Sequence, residues 1–166
     1  SEALIHAGVD LIILETCFDA LNIKAQLFGI RQAVDALQSD IPLIVSVTIS
    51  DVSGRLLSGH TLDAVLAIVK EFRPDAVGFN CGSGPDSLAR HVRELADKSP
   101  YPIIFYPNAG LPDRMGNYSL TPEAFVDTVK PLLADGLLNI VGGCCGTTPE
   151  HIALLSKAAR KAFTCR

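Results

Sequence analysis

Three of the five cysteines in this chain sit beside glycine, just after an apolar run. Cys81 lies in "GFNCGSGP", and Cys144 and Cys145 lie in "NIVGGCCGTTPE". Each thiol region leads through glycine towards a helix, and a helix N-terminus favours an anionic thiolate. Neighbouring residues of a regular strand point to opposite faces. Cys144 and Cys145 can therefore meet one ion only where the strand has broken, and Gly142, Gly143 and Gly146 offer that freedom. Three thiolates suit Zn²⁺ and leave its fourth position open, the layout of a catalytic site. Spacing alone leaves two alternatives standing: buried small cysteines and a vicinal disulfide of unusual geometry. Cys17 and Cys165 lack a comparable glycine setting and read as structural. An odd cysteine count in a core-rich chain fits reduced thiols better than a secreted disulfide framework.

Other polar residues also end apolar runs. Glu15 closes "LIILE", where a carboxylate could cap a helix, pair with a cation or hold an ammonium group. Asn80 and Asn108 occupy similar ends. Asp19 reads as the N-cap of a helix starting near Ala20. His60, in a loop, could touch a ligand, whereas His6, His91 and His151 fall on or near helices and read as packed or solvated. No GxGxxG follows a strand, so no phosphate cradle is expected.

Five apolar runs must position these groups: Leu11–Glu15, Leu43–Ile49, Ala76–Asn80, Ile103–Pro107 and Leu138–Gly143. Most are continuous rather than alternating, as in parallel strands buried on both faces. Between them, apolar residues recur at helical spacing: Leu27, Ile30, Val34 and Leu37; Leu62, Val65 and Val69; Leu88, Val92 and Leu95; Phe125, Val129 and Leu132; Ile152, Leu155 and Ala159. "LTPEAF" and "TTPEHI" each offer Thr as N-cap and Pro at the first helical position. "ALIHAG" reads as the tail of an earlier helix. The strand ends recur at intervals of 27 to 36 residues, which fits repeated βα units. Such units build either a (β/α)₈ barrel or a doubly wound open sheet. A barrel takes about 250 residues, so these 166 residues supply five units where eight are expected. The longest irregular stretch, "PNAGLPDRMGNYSL", is either a functional loop or a surface excursion.

Hydrophobic residues make up 48% and charged residues 19%, so the chain is expected to fold. A net charge of -4 without a basic stripe argues against nucleic acid as partner. No apolar run reaches the roughly 20 residues of a membrane span. The start shows no signal pattern, so a cytoplasmic setting is the expectation.

"LETCFDALNIKA", "SGRLLSGH", "GFNCGSGPDSL", "YPNAGLP" and "NIVGGCCGTTPEHI" together resemble the homocysteine S-methyltransferase family. The resemblance runs in order along essentially the whole chain. "PNAGLP" and "GGCCGTTPEHI" are most similar to the homocysteine-binding zinc barrel of the cobalamin-dependent methionine synthases. The resemblance implies Cys81, Cys144 and Cys145 as zinc ligands and Glu15 as the holder of homocysteine's ammonium group. Asn80 and Asn108 lie in matching motifs and are implied as supporting substrate-binding residues, with no catalytic residue beyond the zinc site. It implies a TIM-type (β/α)₈ barrel of which residues 1–166 form about the last five units. The first three units, with a glycine-rich segment that helps hold the amino acid, are then absent.

The implied activity is zinc-dependent activation of the homocysteine thiol for methyl transfer from methylcobalamin, giving methionine. Cobalamin-binding and folate-binding domains would be its partners in the parent enzyme. Relatives that use betaine or S-methylmethionine share the cysteines, so a small methyl donor is the alternative. A non-catalytic zinc-binding module is a further one. A five-unit arc exposes sheet edges and apolar helix faces, through which copies could associate.

Overall fold

The β-branched runs form strands because their side chains pack well on a pleated surface, and the periodic segments between them form the helices that cover it. The computed structural model describes residues 1–49 and 53–164; Cys165 lies outside them. After helix α1 (Glu2–His6), strands and helices alternate: β1 (Ile12–Cys17), α2 (Ala20–Leu37), β2 (Leu43–Val47), α3 (Leu62–Lys70), β3 (Ala76–Cys81), α4 (Pro85–Lys98), β4 (Ile103–Pro107), α5 (Pro122–Ala134), β5 (Ile140–Val141) and α6 (Pro149–Thr164). The strands form one parallel sheet in sequential order, β1-β2-β3-β4-β5.

That order decides between the two architectures. A doubly wound sheet reverses its strand order and places helices on both faces. Here the order never reverses, and the main core joins one sheet face to the helices. Leu14, Val45, Val47, Val77, Phe79, Ile103 and Phe105 meet Leu27, Val69, Val92, Val129 and Leu155 in a single cluster. The opposite face carries Ile44, Ala76, Ile104 and Tyr106. The fold is the partial TIM-barrel type, with that second face as the barrel's inner wall.

The sheet curves. β1 and β4 are three positions apart, about 14 Å in a flat sheet. Yet the Tyr106 hydroxyl on β4 donates to Glu15 Oε2 on β1 at 3.3 Å.

Two strands differ from expectation. "LIILE" is buried on one face only, with Leu11 and Ile13 42% and 41% exposed, because β1 is an edge strand whose inner side has no neighbour. β5 is shorter than Leu138–Gly143, but its flanks stay paired to β4. Asn139 N donates to Ile103 O, Gly142 N to Phe105 O and Cys144 N to Pro107 O, at 2.9, 3.0 and 2.9 Å. The glycines interrupt the pleat without releasing the chain from the sheet.

Asp19 and Thr121 cap α2 and α5 as expected, accepting from Asn22 N and Ala124 N. The second Thr-Pro-Glu entry works differently. The Thr148 N–H and hydroxyl both face His151 Nδ1, at 3.1 and 2.9 Å. With Nδ1 accepting from Thr148 N, Nε2 donates to Leu120 O at 2.9 Å. His151 is thus a buried brace, packed edge-on against Phe125, that ties the 107–120 loop to α6. Among the described residues no helix is long and apolar enough to cross a membrane.

Candidate metal centre

The C-terminal ends of β3, β4 and β5 lie side by side, and the thiols meet there. Cys81 ends β3 in register with Pro107 of β4, and Cys144 N donates to Pro107 O from the other side. Cys81 adopts φ 58, in the left-handed region that few non-glycine residues enter. Such backbone strain persists where the surroundings hold it, often at functional sites.

The Cys81 and Cys144 sulfurs lie 3.1 Å apart, and each is 3.9 Å from Cys145 Sγ. A tetrahedral zinc with Zn–S bonds of about 2.3 Å sets its sulfurs about 3.8 Å apart. Two edges of the triangle already match, and the third needs to open by about 0.7 Å. The three-thiol donor set therefore fits zinc, and the exposure of Cys145 leaves a side of the triangle open to a further ligand. The vicinal pair is not a disulfide, since its sulfurs stand 3.9 Å apart against about 2.05 Å for a bond.

Asn108 holds the two thiol loops together. Its Nδ2 donates to Gly82 O at 2.7 Å, and its Oδ1 accepts from Cys145 N at 2.9 Å. Ala109 N adds a bond to Cys145 O at 2.9 Å. Thr147 turns its hydroxyl back onto Cys144 O at 2.7 Å. The glycines act in two ways. Gly146 has φ 78, and a Cβ there would lie 2.2 Å from the Tyr118 ring. Gly142 and Gly143 are not left-handed; they are needed for room, since a Cβ on Gly143 would meet the Thr147 side chain at 2.5 Å.

Asn80, fully buried, joins β1 to β3 across β2. Its Oδ1 accepts from Thr16 N at 2.9 Å and from Ser46 Oγ at 2.7 Å, and its Nδ2 donates to Thr16 Oγ1 at 2.7 Å. Thr16 is itself left-handed, with φ 55. This clamp fixes the end of β1 and with it the exposed Glu15.

The thiols differ in acidity. Burial pushes Cys81 up to about 12, helped by its hydrogen bond to Cys144 and by that neighbour's charge. Burial opposes ionisation of Cys144 too, but hydrogen bonds from Cys81, the Cys145 backbone and side chain, and Asn80 outweigh it and lower the pKa. The two neighbouring thiols are thus pushed in opposite directions, Cys81 up and Cys144 down. Cys17 is raised to about 11 by burial and then by Glu15, and its buried thiol stands apart from the cluster as a packing residue.

Sequence reasoning missed Tyr106, Tyr118 and Ser46. Tyr106 carried a signal, as the lone hydroxyl in the apolar run "IIFYP". Tyr118 lies in the long loop, with its ring on Gly146 and its side chain against Cys145. His60 pairs with the exposed Ser58 hydroxyl at 3.0 Å.

Known proteins share this fold. The family model for homocysteine S-methyltransferase matches residues 1–159. The apo form of the homocysteine methyltransferase MmuM from Escherichia coli superposes with a TM-score of 0.73 at 26% identity, over 95% of this chain and 52% of that one. Its metallated form gives 0.74 at 27% identity, over 94% and 47%. The chain thus spans about half the length of these solved relatives. An endo-β-1,3-glucanase from Sorangium cellulosum matches at 14% identity with a TM-score of 0.56, over 97% of this chain and 74% of that one, a likeness of fold alone. With the family model covering nearly its whole length, the chain belongs to the homocysteine S-methyltransferase family.

Proposed function

We propose that Cys81, Cys144 and Cys145 hold one zinc ion, and that the site activates the thiol of homocysteine for methylation. The observation that carries this reading is the convergence of three sulfurs within 4.8 Å at the strand ends of a chain of this family. Zinc, when bound there, supplies positive charge that favours the thiolate form of a substrate thiol near neutral pH. The three cysteines contribute three negative charges around it, which keeps the substrate sulfur electron-rich. The substrate S–H proton leaves to solvent. A sulfur lone pair then forms the new S–CH₃ bond while the donor departs with the electrons of its bond to the methyl carbon.

The other residues position and select. The exposed Glu15 carboxylate attracts the ammonium group of the amino acid. Asn80 and Asn108 support the substrate site from beneath by fixing Thr16 and the two thiol loops. We further propose that residues 1–166 form one arc of an eight-unit barrel, in a cytoplasmic enzyme whose donor is methylcobalamin carried on a separate domain and recharged from a folate-binding domain. Support for that donor is the wording of "PNAGLP" and "GGCCGTTPEHI".

Metal analysis of the reduced full-length protein tests the site: about one zinc per chain is expected, falling to a small fraction in Cys81→Ser. Zinc content unchanged by Cys81→Ser contradicts the ligand set. Methylation of homocysteine from betaine or S-methylmethionine without cobalamin contradicts the donor.

A further inference from the structure

Glu15 stands near the end of an edge strand, exposed, and none of the ion pairs among the described residues involves it. A carboxylate so placed would move among several rotamers in water. One group limits it. Tyr106, half-buried on the inner wall, donates its hydroxyl to Glu15 Oε2 at 3.3 Å across the curve of the sheet. Tyr106 is itself well held. It is in register with Asn80 on β3, packs with Ile44, Ala76 and Ile104, and its phenol lies beside the Ser46 hydroxyl. The bond engages one carboxylate oxygen and leaves the other for a ligand.

The same ring walls a groove of about 200 Å³, whose other sides include Ile13, Ile104, Ile140, Gly142 and Gly143. Gly142 approaches the Tyr106 side chain so closely that a Cβ there would lie 3.3 Å from Tyr106 Cβ. The groove is apolar and runs to the residue before Cys144. Its Tyr106 wall reaches Glu15 through the phenol hydroxyl, and its Gly143 end leads along the chain into Cys144.

We propose that Tyr106 is a positioning residue that fixes Glu15 at a set distance from the cysteine cluster and so selects thiols carrying an ammonium group. This rests on the reading of Glu15 as the ammonium receptor. The ligand class is an ω-thiol α-amino acid: methylenes on the Tyr106 ring, ammonium on the free oxygen of Glu15, sulfur at the cysteines. Tyr106 acts through Glu15 and takes no part in bond making.

The test uses the full-length, zinc-loaded protein with two thiols, L-homocysteine and 4-mercaptobutyrate, which has the same chain and carboxylate without the amine. Tyr106→Phe removes only the hydroxyl. It is expected to raise KM for homocysteine about tenfold, as for loss of one hydrogen bond to a charged group, with kcat, zinc content and KM for 4-mercaptobutyrate unchanged. Glu15→Gln is expected to lose the preference for homocysteine, and adding Tyr106→Phe to it to change nothing more. The proposal is overturned if Tyr106→Phe leaves KM for homocysteine unchanged while Glu15→Gln raises it. It is overturned equally if Tyr106→Phe weakens both thiols alike or lowers zinc content. If the wild-type protein does not distinguish the two thiols, the Glu15 reading fails, and this proposal with it.

Discussion

Asn108→Ala should loosen the metal site more than the fold. The amide makes two hydrogen bonds, at 2.7 Å to Gly82 O and 2.9 Å to Cys145 N, and the side chain is buried. Each such bond contributes about 1 kcal/mol net, and a buried group left unpaired costs about 1–3 kcal/mol more. The freed Gly82 carbonyl and Cys145 N–H belong to loops that can relax towards water when no metal is present. Zinc must then reimpose the paired arrangement, so most of the loss falls on metal affinity. A loss of about 2–3 kcal/mol corresponds to roughly 30- to 150-fold in Kd. Competition against a calibrated chelator measures this directly, and denaturant unfolding of the metal-free protein gives the accompanying change in stability. Asn108→Asp keeps the acceptor for Cys145 N, loses the donor to Gly82 O and brings a negative charge beside three thiols, so it should bind zinc no better than Asn108→Ala. If Asn108→Ala stays folded and binds zinc within twofold of wild type, the brace is not what preorganises the thiols.

Two further outcomes follow from the site. Gly146→Ala places a Cβ 2.2 Å from the Tyr118 ring at a left-handed position; it should cost about 2 kcal/mol or more of stability, read by denaturant unfolding, and an unchanged midpoint would contradict the packing. Zinc affinity should rise with pH: Cys81, held up at about 12 without metal, keeps its proton through the neutral range and must release it on binding. The logarithm of the association constant should climb by at least about one unit per pH unit between roughly pH 6 and 8, and a pH-independent affinity would rule out Cys81 as a thiolate ligand.

Much of this was legible in the sequence because it depends on local pattern. Continuous apolar runs and 3.6-residue periodicity locate every strand and helix of the sheet, and the strand-end positions of Cys81, Cys144 and Cys145 already place the thiols on one rim. What pattern cannot carry is distance across the sheet. Glu15 and Tyr106 are 91 residues apart and meet only because the sheet curves. Periodicity also cannot show that β1 is an edge, so its run reads as buried on both faces although Ile13 is open. The glycines of "GGCCG" read alike in one dimension. In three, Gly146 sets a backbone angle whereas Gly142 and Gly143 clear space for Tyr106 and Thr147. His151 is packed, one of the two readings its helix position allows, but one dimension does not show its partner, the Leu120 carbonyl 31 residues away.

Three cysteine sulfurs that hold zinc would leave one position for the substrate sulfur. X-ray absorption at the zinc edge of the reduced, full-length protein tests it most directly. Three sulfur neighbours at about 2.3 Å are expected in the substrate-free protein and four after L-homocysteine is added. Four sulfur neighbours before substrate, or a sulfur count unmoved by saturating homocysteine, would contradict it.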